Sequence, residues 1–173
     1  MAETWRAVAL GVAFAASKSM LDVFQATGGT RVYRARRMYH FNNGLTSVTG
    51  VLTTMRVTRI TDATGGSAVT PVAHDTTNAA LPAQLTAGTG RTVTTTDVFR
   101  QYIWSNDEPA VSAATIDEWE LLVPFAEVWN AGYGDTNVQP LVCRATQGVQ
   151  LSHVGTTLVG ANDFEIEFTN EAT

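Results

Sequence analysis

The sequence predicts an all-β protein, a jelly-roll-like antiparallel β-sandwich with an N-terminal arm and long loops. Threonine accounts for 26 of the 173 residues, and Val, Ile and aromatic residues dominate the patterned segments. These residue types favour strands. Glycine and Asn-Gly turns interrupt the patterned segments at short intervals, and short strands that alternate with turns in this way are typical of sandwiches and barrels.

The N-terminal segment, residues 1–18, is predicted to be an arm, and the β-sandwich domain is predicted to cover residues 19–173. Its apolar run at 8–16 (VALGVAFAA) is similar to the core of a signal peptide, but Glu3 precedes it and no clear cleavage site follows. The run is also shorter than the roughly 20 residues that cross a bilayer. A helix is the alternative to an arm with a strand near residues 12–16.

The first strands of the sandwich are predicted around glycine turns. Residues 20–25 (MLDVFQ) precede Gly28 and Gly29, and residues 31–41 (RVYRARRMYHF) follow them, which predicts a hairpin. Residues 49–61 (TGVLTTMRVTRIT) predict the next strand. Strict alternation along 31–41 places four residues on one face: Tyr33, Ala35, Tyr39 and Phe41.

Later strands are predicted from the same period of two. Residues 164–168 (FEIEF) alternate three large apolar residues with two carboxylates, so one face is expected to be buried and the other wet. Residues 98–104 (VFRQYIW) have apolar residues on both faces, which indicates a central strand or an interface. Further strands are predicted within three segments: 118–123, 140–145 and 148–154.

Two loops are predicted between the strands. Residues 62–96 are rich in Thr, Ala and Gly, which indicates a long surface excursion with one or two short strands. Residues 105–115 form a shorter, acidic loop. Long loops of this kind usually bind something or are ordered by a neighbour.

Composition and charge exclude several classes of protein. Hydrophobic residues make up 45% of the chain and the net charge is −5, which argues against disorder and against bulk nucleic-acid binding. A single cysteine, Cys143, excludes a disulfide framework within the chain. Residues 1–60 carry eight basic and two acidic groups, whereas residues 97–173 carry two basic and twelve acidic groups. These charges either cancel within one folded chain or pair between neighbouring chains.

The sequence contains no recognisable catalytic, cofactor-binding or metal-binding motif, and we expect a protein that is not an enzyme. His40, His74 and His153 lack the spacing of zinc ligands. Cys143 has no obvious partner dyad and is expected to be a buried, inert thiol. The loop carboxylates lack the alternating pattern of a calcium loop.

Interface residues are the remaining candidates. Arginines clustered in 31–37 suit carboxylates of a neighbour, since guanidinium groups bind carboxylates through two hydrogen bonds. The arm supplies apolar residues. Trp129 is predicted to lie in a glycine-rich bend, residues 129–134, where its aromatic ring could plug the end of the sandwich or help to hold a sugar ring. The candidate interface residues are Trp5, Arg6, Val8, Leu10, Phe14, Arg31, Arg34, Arg36, Arg37 and Trp129.

Six segments together resemble the head decoration, or cement, proteins of tailed bacteriophages: 19–24 (SMLDVF), 31–44 (ending FNNG), 48–61 (VTGVLTTMRVTRIT), 67–82, 104–109 (WSNDEP) and 139–151 (QPLV…GVQL). The resemblance covers most of residues 17–169, and its motifs are structural rather than catalytic. It implies a homotrimer on the outer surface of an icosahedral capsid, made in the host cytoplasm. There it would link neighbouring subunits of the major capsid protein, with residues 1–18 as the arm that reaches a partner.

The sequence is also compatible with two other classes of protein. A carbohydrate-binding module of a tail fibre or adhesin would use the same fold with aromatic loops such as that around Trp129. A β-sandwich enzyme is the third, with His74 and Asp75 as the residues to mutate. No cofactor, no direct nucleic-acid contact and no membrane association are expected.

Overall fold

The computed structural model describes residues 3–43, 52–105, 125–131, 135, 137–155 and 161–172. Within these residues the chain forms twelve strands. They are β1 (Glu3–Ala13), β2 (Ser19–Gln25), β3 (Arg31–Asn43), β4 (Leu52–Thr64), β5 (Ser67–Val69), β6 (Val72–Ala73), β7 (Leu85–Thr89), β8 (Thr92–Ser105), β9 (Phe125–Asn130), β10 (Leu141–Cys143), β11 (Gln147–Val154) and β12 (Ala161–Ala172).

The strands form two antiparallel sheets that pack face to face. Sheet A has the order β10-β3-β12-β1-β6, with β9 also paired to β3, and sheet B has the order β5-β7-β2-β11-β4-β8. Eight strands form the frame, β1-β12-β3-β9 against β2-β11-β4-β8, and the chain crosses repeatedly between the sheets. This is the connectivity of a jelly roll. The predicted all-β class and antiparallel sandwich are therefore confirmed.

The core lies between the sheets and follows the period of two. In β12, Phe164, Ile166 and Phe168 are fully buried while Glu165 and Glu167 are partly exposed, as the alternation of 164–168 predicts. The other large contributors come from both sheets: Trp5, Leu21, Val23, Tyr33, Met38, Met55, Val57, Trp104, Val149 and Leu151.

The N-terminal segment is not an arm, which corrects the predicted division at residues 1–18 and 19–173. Residues 3–13 form β1, which pairs with β12 from Glu3 to Ala13 and buries Trp5, Ala7 and Ala9 in the core. One sandwich therefore includes the described chain from residue 3 onward.

The predicted hairpin of residues 20–41 is also wrong. β2 lies in sheet B and β3 in sheet A, so the Gly28 turn connects the two sheets instead of two neighbouring strands. The predicted faces of β3 change as well, because the pairing with β12 skips Arg36 in a β-bulge. Beyond this bulge the parity reverses, so that Met38 and His40 are buried and Tyr39 is partly exposed.

The edges of the sandwich differ from the sequence-based expectation. β8 is the edge strand of sheet B, not a central strand, and it exposes Val98 and Ile103. The other predicted outcome for this strand, an interface, stays a prediction. The predicted strand 118–123 and residues 106–115 of the acidic loop lie outside the described residues.

The long excursion is shorter than predicted and covers two sheet edges. Residues 62–64 and 92–96 extend the β4–β8 hairpin, so the excursion proper is 65–91. Its three short strands add β6 to the edge of sheet A, and β7 and β5 to the edge of sheet B.

The β4–β8 pair bends over the outer face of sheet B. Three register shifts lie between Val57 and Asp62, where the two strands lose their regular pairing. The bend brings Thr95 of β8 within 3.1 Å of Gln150 on β11. It also brings Arg91 to β2, where its carbonyl accepts a hydrogen bond from the Ser19 amide.

Candidate functional site

An open groove of about 650 Å³ lies where the edges of the two sheets diverge. One wall is residues 8–13 of β1, at the edge of sheet A. The other wall is residues 66–70, which include β5 at the edge of sheet B, and Thr89 and Gly90 also line the groove. We call this feature the edge groove.

The path of the excursion creates the edge groove. β6 pairs with β1 only at Trp5 and Arg6. If that pairing continued, residues 68 and 70 would lie beside Leu10 and Val8. Instead, residues 67–69 leave sheet A and pair with β7 in sheet B. The edge of β1 beyond Arg6 is therefore left open on the groove side.

The backbone of Val8 points into the edge groove. The Thr4 carbonyl accepts a hydrogen bond from the His74 amide, which shows that Thr4 faces the β6 side. Backbone groups of a strand repeat every second residue, so those of Arg6 and Val8 face the same side. Arg6 pairs with Val72, but no described residue supplies a backbone partner for Val8 on this side.

The walls of the edge groove are uncharged. They consist of Val, Leu, Ala, Gly, Ser and Thr, and none of the lining residues is charged or aromatic. Leu10 is 73% exposed. At Gly11 the strand bulges with φ of 62°, and the Gly11 amide donates to Asp163 at 2.6 Å, which ends the regular edge.

Beside the edge groove, the outer face of sheet A carries a ladder of ion pairs. Arg6 of β1 reaches Glu165 at 3.1 Å and Glu167 at 3.0 Å on β12. On the other side of β12, Arg34 of β3 pairs with Glu171. The basic region 1–60 and the acidic region 97–173 therefore neutralise each other within one molecule at these positions, which is the first of the two alternatives for the charge asymmetry.

The structure places the predicted interface residues in five different settings, of which that of Trp129 is described separately below. Val8 and Leu10 line the edge groove, and Arg6 lies beside it. Trp5 is buried in the core, which corrects its assignment to an interface. Phe14 packs edge-on against His153, with ring centroids 4.5 Å apart. The β3 arginines lie along one strand: Arg31, Arg34 and Arg36 are half-buried and Arg37 is exposed.

Trp129 lies in β9 instead of a glycine-rich bend. Its ring is partly buried against the core and lies 5.9 Å from that of Phe99. The bend residues 132–134 lie outside the described residues.

Sequence reasoning identified one wall of the edge groove and missed the other. Val8 and Leu10 were candidates because of their apolar segment. Residues 66–70 carried no signal beyond the small side chains of the excursion, since their position depends on which sheet β5 joins.

The buried titratable groups serve the fold. His40 is stacked between Trp104 and Phe164, with centroid distances of 3.9 and 4.6 Å, and its Nε2 is 3.0 Å from Asn162 Oδ1. Burial lowers the pKa of His40 to about 4, so the ring is neutral at pH 7. Cys143 is a buried free thiol whose pKa is raised, chiefly by burial.

No group of three or more His, Cys, Asp or Glu side chains in the described part of the chain could hold a metal ion. Among the same residues there is no helix long and apolar enough to cross a membrane. No protein-family model, curated protein or solved structure matches the chain.

Proposed function

We propose that this chain is a structural protein of a virion, a capsid decoration or cement protein of a tailed bacteriophage. It would bind the outside of an icosahedral head as a homotrimer and link neighbouring subunits of the major capsid protein. The observation that carries the proposal is the edge groove, an open, uncharged sheet edge on a domain of low charge. Natural proteins usually protect such an edge with Lys, Pro or a covering segment, so an open one is typical of an assembly component.

The charge distribution supports a protein partner over nucleic acid. Arg6 and Arg34 are engaged by carboxylates of the same chain, and the net charge is −5. Binding to phosphates requires free cationic groups. Many identical weak contacts, multiplied by the symmetry of a shell, would give the protein its stabilising effect.

The test is binding to shells. DNA-free shells assembled from a candidate major capsid protein are mixed with the purified protein and sedimented, and light scattering measures the mass of the free protein. We expect a trimer that cosediments with shells at a fixed ratio and raises their resistance to heat. A protein that stays in the supernatant would overturn the proposal.

A carbohydrate-binding module is the second candidate, and one observation favours it. Tyr39 and Phe41 stack on the outer face of sheet A, 6.1 Å apart and inclined by 29°. Aromatic rings of this kind can hold a sugar. Glycan-array binding that is lost in Tyr39→Ala would establish this function, whereas an array without signal would exclude it for the glycans printed. Glycan binding of Trp129→Ala is measured in parallel, because the sequence predicted a sugar site in the loop around Trp129.

A further inference from the structure

We propose that the edge groove binds an extended, uncharged segment of a capsid subunit, which adds to β1 as a new strand. The proposal rests on the proposed function and names the partner element that the site would take. It follows from three features that meet in the edge groove: a strand edge that no described residue pairs with, a second wall that faces this edge, and a lining without charge.

The strand edge supplies the main attraction. Val8 presents its N–H and C=O to the groove, and Leu10 beside it exposes 73% of its surface. In strand addition, main-chain hydrogen bonds give affinity and side-chain pockets give specificity. The regular part of this edge, residues 8–10, spans about 10 Å at 3.3 Å per residue before the bulge at Gly11, which suits a segment of about three residues.

The residues that line the edge groove determine which kind of segment can bind there. It contains no aromatic ring on which a sugar could stack and no cation that could hold a phosphate. A charged side chain that entered the groove would lose water without gaining a partner. Small and β-branched residues of an extended segment fit these walls.

A capsid segment fits better than a second copy of this chain. The described strands all belong to the two sheets already, so they are not free to be donated. A second β1 edge would also bring its own wall of residues 66–70 into the contact, whereas a free extended segment carries no such wall.

Two variants block the edge without altering the core. Leu10→Lys places a charge on an exposed position of the groove wall. Val8→Pro removes an N–H that points away from β12, so the β1–β12 pairing keeps its hydrogen bonds. Val72→Lys is the matched control, because Val72 is 64% exposed near the same sheet edge but does not line the groove. Circular dichroism and thermal unfolding establish that each variant folds.

The experiment measures binding of the wild type and the three variants to DNA-free shells, and amide hydrogen exchange of β1 in the shell-bound wild type. Val8→Pro loses the hydrogen bond donated by the Val8 N–H, and Leu10→Lys replaces an apolar contact with a charge that has no partner, so each should raise Kd by roughly tenfold. Val72→Lys should bind as the wild type does. The Val8 amide should exchange more slowly on the shell.

The outcomes separate the inference from the proposed function. If the wild type binds shells and all three variants bind equally well, strand addition is wrong and the decoration function stands. If the wild type does not bind, the decoration function is wrong, and the inference falls with it. If the free wild type is oligomeric and Leu10→Lys is monomeric, a second copy occupies the groove, which also overturns the inference.

Discussion

The two outer faces of the sandwich use the same arginine–carboxylate chemistry in opposite environments. On sheet B, Arg91 reaches Asp22 at 3.1 Å, and both side chains are buried. On sheet A, Arg6 reaches Glu165 and Glu167 at similar distances, but its side chain is 36% exposed. Distance alone therefore does not distinguish the two sets of ion pairs. Burial does.

The buried pair holds the excursion in place. Arg91 lies over Gly88 of β7, where the missing side chain leaves room for the guanidinium, and donates to the Ala87 carbonyl at 2.8 Å. Asp22 also accepts a hydrogen bond from Ser19 at 2.6 Å. The pair thus fastens Arg91, at the end of the excursion, to β2, which is itself paired with β7. β7 in turn holds β5, which belongs to one wall of the edge groove. The exposed pairs of sheet A join strands that are already paired along their length.

The largest effect is expected from breaking the buried pair. Arg91→Met at pH 7.5 leaves the Asp22 carboxylate buried without its cation, which should lower the free energy of unfolding by about 3–5 kcal/mol. Urea unfolding monitored by tryptophan fluorescence measures the change. The wall of the edge groove should loosen as well, seen as faster amide exchange in β5.

The control for this prediction removes both charges. Asp22→Asn combined with Arg91→Met leaves no buried charge, so it should cost less than Arg91→Met alone. A double variant that is as unstable as the single one would show that the arginine acts through packing instead of charge.

The second-largest effect is the pH dependence of the free energy of unfolding, and it arises mainly from His40 in the core between the two sheets. The pKa of His40 is about 4 in the folded protein and about 6.5 in the unfolded chain. The unfolded state therefore binds the proton first, and stability falls by up to about 3 kcal/mol as pH decreases from 6.5 to 4. The pKa of Asp22 is raised to about 6, mainly by burial, so its contribution has the opposite sign: stability increases as pH falls from 6 toward 3.8.

These two contributions can be separated by substitution. The difference in unfolding free energy between the wild type and His40→Phe should shrink by about 2–3 kcal/mol between pH 7.5 and 4.5. In Asp22→Asn the acid-induced loss should be larger than in the wild type, because the opposing group is absent. A His40→Phe difference that does not change with pH would contradict the lowered pKa.

The sequence predicted those parts of the fold that depend on local pattern. The alternation of apolar and acidic residues in 164–168 identifies a strand with one buried face, because this pattern is visible in the five residues themselves. The bulge at Arg36 could not be predicted, since it is decided by how β3 aligns with β12, more than a hundred residues away. The N-terminal strand was missed for the same reason: its partner is also β12.

One wall of the edge groove could be predicted from the sequence, and the other could not. Val8 and Leu10 were identified because an apolar, alanine-rich run has a local signature. The second wall of the edge groove arises when residues 67–69 leave β1 for β7. That choice depends on the position of β2 and β7, which no local pattern of the excursion reveals.

The smallest effect is expected on the exposed face and completes the comparison. Arg6→Gln removes the cation that bridges Glu165 and Glu167, but the Arg6 side chain is 36% exposed and both carboxylates are partly exposed, so water reaches these ion pairs. The loss of unfolding free energy should be below about 1 kcal/mol and should decrease further in about 1 M NaCl, where screening acts over roughly 3 Å. The loss caused by Arg91→Met should persist at the same salt concentration, because its pair is shielded from solvent. Urea unfolding at low and high salt tests both variants side by side. If Arg6→Gln cost as much as Arg91→Met, or were equally insensitive to salt, then burial would not be what separates the two faces.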